Sequence, residues 1–131
     1  MNRKEILKDY LKVDPDEVVW SFISNYYDGP IEGLVYFKEQ IRYCRCFEED
    51  IPIQKTYVVL DLPQDILAVM ISDKEEFERM VGTHWSFDKA GNRLPMGNVT
   101  EETSDAYYKS KKPEISPSIA ENEIIAWFEY G

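Results

Sequence analysis

Apolar residues near the start of the chain recur at helical spacing. Ile6, Leu7, Tyr10 and Leu11 are separated by charged neighbours, which predicts a short amphipathic helix over 3–11. Asp14-Pro15-Asp16-Glu17 then has the makings of a helix start: Asp as N-cap, Pro in the first position, Glu three residues after the cap. Behind it Val18, Val19, Phe22, Ile23 and Tyr26 form an apolar stripe, so a helix over 15–25 is the expectation. The β-branched and aromatic content of that stretch would also suit a strand, which stands as the alternative. Asp28-Gly29-Pro30 is a break.

From Ile31 the pattern changes. Leu34 to Phe37 and Ile41 to Phe47 are strand-like runs joined by Lys38-Glu39-Gln40, and Thr56 to Leu62 is a third, closed by Pro63. A helix is expected from Ser72, with Ser72 as cap, Glu75 completing a capping box and Gly82 as the stop. Residues 83–117 are rich in Gly, Pro, Asn, Ser and charge. They read as a long irregular region that is functional, flexible or hiding a short element. Ile124 to Tyr130 is a closing strand. The fold class that results is α+β, with a mainly antiparallel sheet of about four strands and two or three helices packed on one face.

The 131 residues fit one globular domain over 1–131, and 44% hydrophobic and 14% aromatic content is enough for one real core. A formal net charge of −10 argues against binding to nucleic-acid phosphates or anionic membranes and favours a basic protein partner. No run approaches the ~20 apolar residues of a membrane span. The first residues, Met1 to Glu5, are charged and lead into no signal-like apolar run, so the cytoplasm is the expected compartment. Cys44 and Cys46 sit at i and i+2, where a bridge would close a strained ring, and reduced thiols are the simpler reading.

Little in the sequence is suited to chemistry. His84 is the only histidine, and no nucleophile elbow or catalytic-cysteine signature accompanies it. Cys44, Cys46 and His84 lack a fourth ligand and the paired spacing of a structural zinc site, so no metal is expected. Six glycines, at 29, 33, 82, 91, 97 and 131, form no phosphate-cradling loop, and no cofactor is expected. No catalytic residue is assigned.

The most distinctive string is Tyr26-Tyr27-Asp28-Gly29-Pro30-Ile31-Glu32-Gly33, which fixes a corner and places tyrosines beside carboxylates. Tyr26, Tyr27 and Asp28, the acidic run Glu48, Glu49 and Asp50, and Trp85 are the candidate partner-binding residues. With the Tyr/Phe-rich hairpin, Val-Gly-Thr-His-Trp-Ser-Phe at 81–87 and Ile-Ala-Trp-Phe-Glu at 125–129, this string resembles a group of small bacterial proteins without assigned activity. In size, acidity and class the chain also broadly resembles the immunity proteins that neutralise toxins in bacterial competition. That resemblance implies a non-enzymatic protein-binding module with a basic toxin as partner. The alternatives are a self-associating structural or regulatory subunit, for which a homodimer is the form, and a small hydrolase using His84.

Overall fold

The computed structural model describes residues 3–26, 29–49, 55–110 and 123–130. Two short 3₁₀ helices, Arg3–Asp9 and Pro15–Glu17, precede strands β1 (Val18–Tyr26), β2 (Pro30–Phe37), β3 (Gln40–Glu49) and β4 (Lys55–Leu60). Helices α1 (Gln64–Met80) and α2 (Glu101–Ser110) follow, and β5 (Ile124–Tyr130) comes last. The strands form one antiparallel sheet in sequence order, β1-β2-β3-β4-β5. The α+β class with an antiparallel sheet holds. The sheet has five strands rather than about four.

The additional strand is β1, where a helix was expected. The capping box does form: Asp14 Oδ1 accepts the Asp16 N–H at 3.0 Å, and Glu17 Oε2 accepts the Asp14 N–H at 2.9 Å. It caps a single 3₁₀ turn, after which Val18 is already extended (φ −122°, ψ 119°). β-branched and aromatic side chains pack better on a pleated surface than on a helix. Two of the three register shifts against β2 disguise the strand. Trp20 pairs with Val35 and Phe22 with Leu34, so Ser21 is an extra residue, and Ser24 is another between Ile23 and Asn25. Each bulge breaks the period of two, and the result mimics a helical stripe.

The sheet curls strongly. In a flat sheet β1 and β4 would lie about 14 Å apart, three strand spacings, yet the rings of Trp20 and Tyr57 are 5.9 Å apart. The segment before β1 meets β5: Val13 N–H donates to Trp127 O and Trp127 N–H to Leu11 O, both at 2.9 Å, in a parallel bridge at Lys12. These two bonds close the sheet into a small barrel-like body. Its interior holds Val18, Val35, Phe37, Cys44, Tyr57, Val59, Ala126 and Phe128. Tyr57 stacks on Phe128 at 5.3 Å, and its hydroxyl donates to Pro30 O at 2.6 Å.

Alternate residues of the same strands, among them Tyr43, Val58, Leu60 and Ile124, point outward. The first 3₁₀ helix covers them with Ile6 and Leu7, Tyr10 directly after it adds its ring, and the first half of α1 adds Ile66 and Met70. Leu11, expected on that helix's apolar face, is 51% exposed and contributes its carbonyl to the closing bridge instead.

The helix expected from Ser72 begins eight residues earlier, at Gln64, directly after Pro63, so Ser72 and Glu75 lie mid-helix and cap nothing. Proline's fixed φ (−52° here) suits a helix entrance, and Ile66, Leu67, Met70 and Ile71 continue the apolar stripe. Gly82 is the stop: its φ is +143°, and its N–H donates to Phe77 O at 3.0 Å. The irregular region does hide elements. Phe87 N–H donates to Ser21 O and Ile23 N–H to Trp85 O, both at 3.0 Å, which covers the free edge of β1. Further on, Thr100 and Thr103 exchange side-chain-to-backbone hydrogen bonds at the start of α2, and Thr103 Oγ1 donates to Met80 O at 2.8 Å, tying it to the end of α1. No helix among the described residues is long and apolar enough to cross a membrane.

Candidate functional site

The outer face of the sheet carries the space for a ligand. There α1 is 17 residues long with none buried. Its second half stands off the sheet above Phe22, Leu34 and Tyr43, while α2 and the Thr83–Ser86 turn close two sides. The result is a cleft of about 850 Å³, inside the range of about 300–1,000 Å³ found for ligand sites.

Its walls are aromatic. Tyr26 packs on Trp85 at 5.1 Å between ring centres, Trp85 on His84 at 5.7 Å, and His84 on Phe77 at 5.6 Å. Phe77 continues to Phe22 and to Tyr107, each at 5.5 Å, and Tyr107 to Tyr108 at 5.2 Å. One unbroken line of rings therefore joins β1, the turn after α1, α1 itself and α2. Its outer members are exposed. Tyr26, Val69 and Tyr108, three of the exposed large hydrophobics Leu11, Tyr26, Val69, Met96 and Tyr108, line this cleft. Clustered exposed apolar groups around a concavity mark interaction sites.

Three carboxylates enter the same space: Glu32 from β2, and Asp73 and Glu76 one turn apart on α1. Glu32 is 6% exposed, accepts the hydroxyl of buried Tyr43, and stands opposite Arg45 in the β2–β3 register. Its charge belongs to the fold. Asp73 and Glu76 are the carboxylates offered to the opening, and no lysine or arginine is among the described lining residues. Lys74, which lies between them in sequence, is held by Glu78 at 3.1 Å. A concavity with aromatic walls and carboxylates favours a cation.

The structure brings two of the expected partner-binding residues together, Tyr26 and Trp85. Tyr27, Asp28 and Asp50 lie outside the described residues. Glu48 and Glu49 lie at the end of β3, in register with Thr56 and Lys55 of β4. His84 is exposed on the cleft wall and makes ring contacts. Among the described residues it has no hydrogen bond to a serine, cysteine or carboxylate, the arrangement a hydrolase would use. No group of His, Cys, Asp and Glu suited to a metal occurs among the described residues. Cys44 is a free thiol buried in the barrel interior, and Cys46 packs against that core partly buried. Burial pushes the Cys44 thiol well above its usual range, and the neighbouring Cys46 adds to the effect.

Sequence reasoning missed Glu32, Asp73, Glu76, Phe77 and Tyr107. Glu32 left one signal, a lone carboxylate inside an apolar strand run. The i, i+3, i+4 spacing of Asp73, Glu76 and Phe77 on the expected helix left another, which had meaning only once that face was seen to lie over Phe22 and Tyr43. Comparison of this chain with protein-family profiles, with curated proteins and with solved structures finds no match.

Proposed function

We propose that the chain is a protein-binding module whose outer-face cleft receives a basic segment of a partner protein. The observation that carries this reading is the coincidence, in one concavity, of an exposed apolar rim, a continuous aromatic wall and two outward carboxylates, with no described lysine or arginine. Aromatic residues supply much of the energy at interface centres, and the net charge of −10 supplies long-range attraction that speeds encounter with a basic molecule. Neutralisation of a basic toxin, as a bacterial immunity protein performs it, is the form of this activity that suits so small and acidic a chain.

Co-purification from the native host tests the reading when wild type is compared with the charge-reversed pair Asp73→Lys and Glu76→Lys. The expected result is a basic protein recovered at low salt, weakened at high salt and lost with the charge-reversed chain. Recovery of no partner, of an acidic partner, or of one that the charge-reversed chain retains would contradict it.

A further inference from the structure

We propose that the group this cleft takes is the guanidinium of an arginine side chain presented by the partner protein, an inference that rests on the cleft being the partner-binding site. The walls decide between the two basic side chains. An ammonium is a compact, strongly hydrated charge, whereas a guanidinium is planar, more weakly hydrated and stacks on ring faces. Entry into a space lined by Phe77, Trp85 and Tyr107 therefore costs arginine less hydration and returns cation–π attraction.

The placement of charge agrees. Asp73 and Glu76 are three residues apart on α1 and so are neighbours on its surface. Together they present two acceptors along one wall to the fork of guanidinium N–H donors. Glu32 is already engaged by Tyr43 on the floor and is not needed as a counter-charge. The cleft's 850 Å³ exceeds what one side chain fills, which leaves the exposed Tyr26 and Val69 for apolar residues flanking the arginine.

The test uses three capped peptides, Ala-Leu-Xaa-Leu-Ala, with arginine, lysine or citrulline in the centre. Each is titrated into the intact chain at low salt and followed by NMR. The arginine peptide is expected to bind about tenfold tighter than the isosteric uncharged citrulline peptide and severalfold tighter than the lysine peptide. The shifts should fall on the Trp85 indole and the Tyr107 ring. In the double variant Asp73→Asn with Glu76→Gln, checked by circular dichroism to be folded, the arginine advantage should disappear. Equal binding of the arginine and lysine peptides, or an arginine advantage unchanged in the double variant, overturns the inference. If the host partner is still lost on charge reversal while the peptides show no arginine preference, only the arginine assignment falls. A partner indifferent to charge reversal removes the reading beneath it as well.

Discussion

Alternate residues of the same five strands build the two faces of this sheet, and the faces have opposite characters. The inner face is closed: Val35, Cys44, Val59, Ala126 and Phe128 are fully buried, and two hydrogen bonds between Leu11–Val13 and Trp127 complete the wall around them. The outer face is covered only in part. Under the first 3₁₀ helix and the start of α1 it is a second core, and beyond Met70 it opens into the aromatic cleft. Because curling satisfies the inner face, the helices need not seal the outer one. The barrel supplies stability, and the space beneath the second half of α1 stays open for the binding proposed above.

Substitutions of comparable size on the two faces should separate these roles most clearly. Phe128→Ala removes a fully buried ring stacked on Tyr57 and should cost about 3–5 kcal/mol. Tyr108→Ala, at a position 55% exposed on α2, should cost less than about 0.5 kcal/mol. Urea unfolding of both variants measures the contrast, and equal losses would break it.

At the seam between the faces, Gly33 lies so close to β1 that a Cβ added there would run into the Phe22 carbonyl oxygen. Gly33→Ala should therefore lose about 3 kcal/mol through a forced shift of β1 against β2, seen as a lowered unfolding midpoint. The cleft floor offers a smaller effect. Tyr43→Phe removes the hydroxyl that Glu32 accepts inside the protein and should cost about 1–2 kcal/mol in the same assay.

The smallest effect concerns pH. The Cys44 thiol is held above its unfolded value, so the folded state keeps its proton longer than the unfolded state does. Its contribution to stability is therefore constant below the unfolded thiol pKa of about 8.5 and declines as pH rises above it. Cys44→Ala should flatten the fall in stability between about pH 8.5 and 9.5, before tyrosines ionise. A slope unchanged in that variant would contradict the burial of this thiol.

The central meander was legible because its runs are rich in β-branched and aromatic residues and are bounded by turn residues and Pro63. The turn after Phe37 is tighter than expected, with only Lys38 and Glu39 between paired Phe37 and Gln40. β1 was obscured by its bulges at Ser21 and Ser24, and α1 by a proline that ends one element and admits the next. α2 could be suspected only as a short hidden element, because its apolar residues, Ala106, Tyr107 and Tyr108, are consecutive and form no stripe at helical spacing. Of the cleft, Tyr26 and Trp85 could be proposed as aromatics beside turns. Asp73 and Glu76 could not, because among 25 acidic residues only their position on a helix over Phe22 and Tyr43 distinguishes them. Curling was equally hidden, since the bonds that close the sheet join residues more than a hundred positions apart.

The central claim is that binding occurs on the open part of the outer face and leaves the closed interior unchanged. Hydrogen–deuterium exchange on the chain alone and on its complex with the recovered partner tests this most directly. Added protection should appear at residues 69–77 of α1, at His84 and Trp85, and along α2, with β4 and β5 unaltered. Protection centred on β4 and β5, or none at α1 and α2, would contradict the account.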